Sequence, residues 1–431
     1  MKGLWMPLAG MIAGMALAPF AACQDSFTLD HALAMARARN GAIRVALLTY
    51  ESARRSVVLA EGAYLPTLGA DFRYDVDRRN FQTGAPGTSQ SSTGATLSVD
   101  AGWTLFDTGE RQWNLAGAKR DAEAAEATAL QTLRQTLFLV HQDFFDAIRT
   151  QELMAVQSAQ LKRSEVILDQ TKTRVETGDA PRKDILQAEA DFLNAKASFL
   201  QSRNRVTTAL ATLKASVGWD GPGELPPLEA LGTPDLPPPS FTLDEAMVEG
   251  LSSRADLRSR RKRVESRRVD LRLAKIAAGV TWTLDGVASK SFAPDVSDRI
   301  GLIFRATLPI LDGYASRENI RLRQISLESE EQSLLQAERD AKAEIESAYK
   351  EFEQNREILA AAKAALEAAR LNFRAAEESQ RLGAGDLIEV LTAQVSLATA
   401  ESNHVQAVYD MLSADIRLRL AMGQPVPGET R

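Results

Sequence analysis

The stretch Ala95-Thr96-Leu97-Ser98-Val99-Asp100-Ala101-Gly102-Trp103-Thr104-Leu105-Phe106-Asp107-Thr108-Gly109 decides how this chain is built. Ala95, Leu97, Val99, Ala101, Trp103 and Leu105 alternate with Thr96, Ser98, Asp100 and Thr104, the period of a strand with one apolar face. After Gly117 the period changes. No proline or glycine occurs until Gly178, and Ala, Leu, Glu, Gln and Arg predominate, all strong helix formers. A strand thus runs straight into a very long helix.

The chain does this twice. Leu105-Phe106-Asp107-Thr108-Gly109 returns as Ile310-Leu311-Asp312-Gly313, and Gly178 and Gly218 return as Gly383 and Gly423, all at an offset of 205. Phe27-Thr28-Leu29-Asp30-His31-Ala32 returns as Phe241-Thr242-Leu243-Asp244-Glu245-Ala246 at an offset of 214. The second copy has therefore lost nine residues between these markers. A tandem unit of this length outweighs the simple length prior for 431 residues.

Two helices are predicted over about 109–178 and 314–382, each on the order of 100 Å long at 1.5 Å per residue. Four helices of roughly 35 residues, about 29–64, 183–217, 243–277 and 387–422, span about 50 Å each, so two end to end match one long helix. In the last, Leu391, Val395, Ala398, Ser402, Val405, Tyr409, Leu412 and Ile416 alternate steps of four and three. Their counterparts are Leu186, Ala190, Leu193, Ala197, Leu200, Asn204, Thr207 and Ala211. That spacing is a left-handed coiled-coil seam.

Three further segments alternate. Leu68, Ala70, Phe72, Tyr74 and Val76 oppose Asp71, Arg73 and Asp75, and Val280, Trp282 and Leu284 oppose Thr281, Thr283 and Asp285. Ile300, Leu302, Phe304, Ala306, Leu308 and Ile310 oppose Gly301, Arg305 and Thr307, with Ile303 as an apolar exception. The strands are placed at about 67–76, 95–106, 280–288 and 299–311, the length of a tilted strand crossing a bilayer. A half-buried sheet in a soluble domain would alternate too. The charged opposite faces suit a wet lumen, and Trp103 and Trp282, near the helix-side strand ends, suit an aromatic girdle at one height. Residues 77–94 and 289–299 read as outward polar loops. Four strands leave two open edges, which lipid does not tolerate. Two copies would close an eight-stranded barrel filled by its side chains, whereas three copies give twelve strands and a passage.

Net charge is −6 without long runs of either sign, so nucleic-acid binding has no electrostatic support. Residues 1–22 read as a signal peptide, apolar from Leu4 to Ala22 but short for a spanning helix. Cys23 follows directly, either as a lipid-attachment site or as an incidental thiol beside an ordinary cleavage site. As the lone cysteine it makes an internal disulfide impossible. The division is 23–219 for the first repeat, 220–240 for a Pro-rich equatorial linker, 241–423 for the second repeat and 424–431 for a tail. Catalysis finds no support: His31, His141 and His404 sit on separate helices without ligand spacing, so no metal or cofactor is expected.

Thr28-Leu29 before the first helix, Tyr64-Leu65-Pro66 before the first strand and Leu105-Phe106-Asp107-Thr108-Gly109 after the second resemble a TolC-family outer-membrane efflux and secretion channel. Leu308-Pro309-Ile310-Leu311-Asp312-Gly313 is the second exit, and the likeness covers about 27–423; the third strand has Gly279 where the first has Pro66. The resemblance implies an α+β membrane protein with a TolC-like fold. Long helices form an α-barrel, and four β-strands per protomer complete a 12-stranded barrel in a homotrimer. It implies a passive duct spanning from the outer membrane into the periplasm. A periplasmic adaptor (membrane fusion protein) and an inner-membrane RND, ABC or MFS transporter would supply cargo and energy. The competing readings are a periplasmic coiled-coil scaffold and a porin-like passive channel.

The turns after the long helices are the local candidates. Gly178 is followed by Asp184-Ile185-Leu186-Gln187-Ala188, and Gly383 by Glu389-Val390-Leu391-Thr392-Ala393. Capping alone accounts for such residues, since glycine suits a left-handed C-cap and acids suit a first turn. The resemblance makes these turns the periplasmic tip, with Glu389, Asp184, Thr392 and Gln187 at a pore constriction. It likewise marks Arg174, Gly178, Arg381 and Gly383 for the tip turns and adaptor docking. Thr392 stands where the family often has another carboxylate.

Overall fold

The fold is taken from a computed structural model describing residues 26–80, 89–221, 223, 225–232, 237–293, 297–382 and 384–429. The signal segment and Cys23 lie outside them. In chain order the elements are α1 (Leu29–Arg39), α2 (Gly41–Gly62), β1 (Thr67–Asn80), β2 (Ser89–Phe106), α3 (Glu110–Glu176) and α4 (Arg182–Val217). The second half follows with α5 (Leu243–Ser253), α6 (Ala255–Ala277), β3 (Thr281–Ala293), β4 (Ser297–Thr307), α7 (Ala315–Arg381) and α8 (Leu387–Ala421). Above their middle the long helices α3 and α7 are flanked by α2 and α6; below it, by α4 and α8.

The helices expected over 29–64 and 243–277 are each two helices. Asn40 and Arg254, 214 positions apart, stop one helix and start the next with the same extended backbone, φ near −65° and ψ 126°. Asn40 Oδ1 accepts from Ala42 N, capping α2, while Asn40 Nδ2 donates to Ser216 O at 2.9 Å. Arg254 Nη1 donates to Ala421 O at 3.1 Å, the equivalent carbonyl of the second repeat. Gly218 and Gly423 close these joints with φ of +69° and +68°. A Cβ on Gly423 would lie 2.8 Å from Arg254 Cα, so the close approach demands glycine.

The antiparallel sheet runs β1-β2-β3-β4, the central pair joining the two repeats. Its register puts Phe72 opposite Leu97, Leu284 opposite Phe304 and Gly286 opposite Leu302. The strands outrun the expected limits: residues 77–80 and 89–94, expected in a loop, are in the ladder that runs from Asp75↔Gly94 to Asn80↔Ser89. A hairpin that passes beyond an apolar band continues in water, where polar residues pair as well. β4 instead ends at Thr307, four residues before its expected end, because Pro309 has no N–H for a ladder. Trp103 lies opposite Gly286, four positions along β3 from Trp282, so the two indoles are staggered rather than level.

No described side chain of the sheet is buried: Leu68, Phe72, Ile300 and Leu302 are each about 70–90% exposed. A soluble sandwich would bury that face; this one meets no core. The cores lie among the helices. Around the middle of α3, Leu137, Val140, Phe144 and Ile148 pack with Phe27, Leu33, Leu213, Val217 and Tyr409. The Pro-rich linker closes onto the same cluster, through Leu225, Leu228 and Leu231 and the bond from Phe27 N to Pro227 O at 2.8 Å. α6, rich in arginine, is tied to its neighbours by Lys262–Glu123 (3.0 Å), Arg261–Glu338 (3.1 Å) and Arg268–Glu331 (2.9 Å). Burial alone would raise the Glu123 pKa, but hydrogen bonds and charge from Lys262 and Arg120 outweigh it and hold the carboxyl below the usual range.

Each return helix has two stripes. Ala188, Ala195, Ser202, Val206, Ala209, Leu213 and Val217 of α4 are buried, as are their counterparts 205 positions on, from Ala393 to Leu418 of α8 and its C-cap Met422. The seam expected at Leu391 to Ile416 is covered on α8 except at Val395; the equivalent eight positions on α4, Leu186 to Ala211, are all exposed. Among the described residues, only one of the two expected seams is therefore covered within a single chain.

Candidate functional site

The end of the helical layer opposite the sheet is made by two turns of the same design. In the first, Gly178 takes φ +84° and its N–H donates to Val175 O, while Asp179 N donates to Arg174 O at 2.7 Å. This Schellman geometry satisfies the last carbonyls of α3. In the second, Ala384 N donates to Ser379 O at 3.0 Å, the equivalent bond on α7; Gly383 itself lies outside the described residues. Each turn then opens a helix. Asp184 N donates to Pro181 O at 3.0 Å and Glu389 N to Asp386 O at 3.2 Å, placing both carboxylates in first turns, where a helix dipole favours negative charge.

Glu389 is exposed and Asp184 half-buried, and among the described residues neither side chain has a salt bridge or hydrogen-bond partner. They are available for ions or for other chains. Gln187 is exposed beside Asp184, one turn further into α4. Thr392 is exposed but commits its hydroxyl to Ile388 O at 2.7 Å, so its acceptor lone pairs are what it offers outward. Arg381 does not reach across the turn: it pairs with Glu378 on its own helix, through bonds of 2.6 and 3.0 Å. That contact lowers the Glu378 pKa and raises that of Arg381. Arg174 is half-buried, with its carbonyl rather than its guanidinium taking part in the turn.

Asp386 was missed in the sequence. It is the N-cap of α8, its carboxylate accepting from Leu387 N at 2.7 Å, and it adds a second acid one turn from Glu389. An aspartate immediately before an apolar run was the available signal. At the other end of the molecule, Trp103 Nε1 donates to Tyr64 O at 3.0 Å, and Trp282 stacks on Phe304 with centroids 5.5 Å apart. Both indoles stay about 40–50% exposed on the apolar face, where an amphipathic ring suits a membrane boundary. Among the described residues no group of acids, histidines or cysteines could hold a metal ion, and no helix is long and apolar enough to cross a membrane.

Comparison with known proteins agrees with this architecture. Residues 32–219 and 248–424 match the model of the family described as outer membrane efflux protein, one match to each repeat. The chain is 24% identical to outer membrane efflux protein BepC of Brucella suis over 424 residues, covering 96% of this chain and 89% of BepC. It is 23% identical to outer membrane protein TolC of Escherichia coli over 444 residues, covering 96% of this chain and 86% of TolC. The crystal structure of the Campylobacter jejuni CmeC outer membrane channel superposes with a TM-score of 0.79 at 15% identity, over 99% of this chain and 94% of that one. With both repeats matched and the fold shared end to end, the chain belongs to the outer membrane efflux protein family, TolC-type channels of the outer membrane that extend into the periplasm.

Proposed function

We propose that this chain is the passive exit duct of a tripartite efflux or type I secretion system. Channels of its family are trimeric and work with adaptor and pump partners. Here three copies would join β4 of one to β1 of the next, closing twelve strands over a helical tube. A periplasmic adaptor docks at the tip turns around Arg174, Gly178, Arg381 and Gly383, and an inner-membrane RND, ABC or MFS transporter provides the energy. Glu389 and Asp386 on one tip turn and Asp184 on the other make the tip electronegative, and Gln187 and Thr392 extend that surface. We assign the chain no catalytic step and no cofactor.

The observation that carries this reading is the apolar sheet face left bare in a chain whose sheet edges, β1 and β4, have no strand partner among the described residues. Lipid covers such a face, and closure with other copies satisfies such edges. A soluble scaffold leaves both without a partner. The deciding experiment is the mass of the particle extracted from outer membranes in mild detergent, corrected for bound detergent. Three chains support the duct, and a monomer in the soluble fraction overturns it.

A further inference from the structure

Where the helices meet the sheet, the two sides of the wall differ in charge. Asp270, Leu273 and Ala277 of α6 and Asn319 of α7 line a cleft of about 440 Å³ that reaches Thr281, one of the polar alternates of β3. This side of the wall therefore continues the wet face of the sheet. With about 3.6 residues per turn, Arg272 and Lys275 point away from that cleft on α6. Arg317 and Arg321, two positions either side of Asn319, point away from it on α7. These four stand beneath the opposite face, that of Val280, Trp282 and Leu284.

All four cations are exposed, and no carboxylate among the described residues pairs with them. Further down α6, by contrast, Arg261, Lys262 and Arg268 each have an acid partner. Arg272 lies over the Trp113 ring, 5.8 Å from its centroid. Arg317 and Arg321 line a second cleft, of about 690 Å³, beside Ala278 at the end of α6, with Ser316, Gln324 and one acid, Glu318. The first repeat is an internal control. Arg272 and Lys275 correspond to Val58 and Glu61, 214 positions earlier, and Arg317 and Arg321 to Gln112 and Ala116, 205 positions earlier. The helical packing that the repeats share does not require these cations.

We infer that Arg272, Lys275, Arg317 and Arg321 form a site for the phosphate of an anionic phospholipid in the leaflet on the helical side. This rests on the lipid-facing reading of the apolar sheet face. Position selects the ligand. At 1.5 Å per residue the four lie within about 10 Å of the ends of α6 and α7. An anionic membrane surface attracts cations over about one screening length, roughly 10 Å at 0.1 M salt. The guanidiniums offer forked donors to phosphate oxygens, and Lys275 adds a point charge. Acyl chains then rise along Trp282 and Phe304, both exposed on the same face. A second copy does not cover α6, which stands between α3 and α7 in the row. The tip turns, where an adaptor docks, are a whole long helix away.

The test is native mass spectrometry of the full-length protein in detergent, which weighs the particle and counts its bound lipids together. Phosphatidylglycerol should bind more tightly than phosphatidylcholine, a lipid of similar size without net charge. Arg272→Gln and Arg317→Gln should each weaken phosphatidylglycerol binding about fivefold, the factor equal to about 1 kcal/mol, and the pair roughly twentyfold. Arg323→Gln, in the cleft on the wet side, should leave binding unchanged. Equal binding of the two lipids, or an equal loss with Arg323→Gln, overturns the site while a mass of three chains leaves the duct standing. The lipid comparison uses the wild type, so it decides even where a variant fails to assemble. Displacement of the lipid by inorganic phosphate at the same concentration overturns the lipid as the occupant. A wild-type particle of one chain overturns the duct reading itself.

Discussion

Asn40 Nδ2 donates to Ser216 O across 2.9 Å, fastening the break between two stacked helices to the end of a third. Arg254 repeats the contact at Ala421 O with a longer and charged side chain. The joint is thus kept while its chemistry changes. Asn40→Ala removes both this bond and the cap on Ala42 N, and should destabilise the trimer by about 1–2 kcal/mol. The temperature at which trimers dissociate checks it, and an unchanged value would mean the break is held by its surroundings alone.

Glycines of similar conformation should differ in consequence. Gly423→Ala forces a Cβ to within 2.8 Å of the Arg254 backbone, whereas at Gly178, with φ +84°, nothing lies within 4 Å of the added atom. The second substitution meets only left-handed strain, about 1–2 kcal/mol. The first adds a backbone collision and should cut the yield of folded trimer far more. Equal yields would contradict the joint geometry.

The tail is fixed by charge. Arg134 Nε and Nη2 each donate to Glu429 at 3.0 Å, and Nη1 donates to Gly423 O at 2.7 Å, with both side chains nearly buried. Glu429→Ala strands a buried guanidinium and should cost about 3–5 kcal/mol. Replacing both partners, Arg134→Met with Glu429→Ala, should cost less than that single change. A larger loss in the double variant would show that Arg134 acts chiefly through Gly423.

His141 sets an acid limit. Its ring is buried against Phe145, with Nδ1 2.8 Å from Leu137 O. Burial lowers its pKa, outweighing the Leu137 carbonyl and the charge of Asp30, which push the other way. The unfolded ring takes its proton near pH 6.5. Below that the unfolded state binds more protons, so stability falls as pH drops, by at most about 1.4 kcal/mol per unit, until the folded ring also protonates. Above that pH the full stability is present. His141→Gln should flatten the change in trimer melting between about pH 7.5 and 5.5, and a slope equal to wild type would assign the effect elsewhere.

At the tip, Glu389→Ala should reduce cation preference and cation block in bilayer conductance. Its carboxylate is exposed and has no partner among the described residues, so its charge is available to ions. Unchanged selectivity would remove Glu389 from the conducting path and shift attention to Asp386 and Asp184.

The repeats, the long helices and the sheet were legible because each depends on periodicity over many residues, as from Gly117 to Gly178. The breaks at Asn40 and Arg254 were not. One residue suffices for a break, and the helical pattern resumes at once on both sides; Asn40-Gly41 was the local signal, while Ser253-Arg254 has none. Strand ends were misplaced for a related reason: apolar alternation reports where lipid or core ends, not where pairing ends. Glu389 and Asp184 could be placed in first turns from the sequence, but Arg381 found its partner on its own helix because Glu378 is three residues away. The Leu186 to Ala211 seam was visible, and only the structure shows that nothing among the described residues covers it.

α3 and α7 each comprise 67 residues and start and stop at the same offset of 205. Two legs of equal length beneath one sheet set both tip turns at the same level, so a copy stands square under the membrane. A rotation applied at either turn then meets the same lever arm, and neither half of the repeat is the weaker handle.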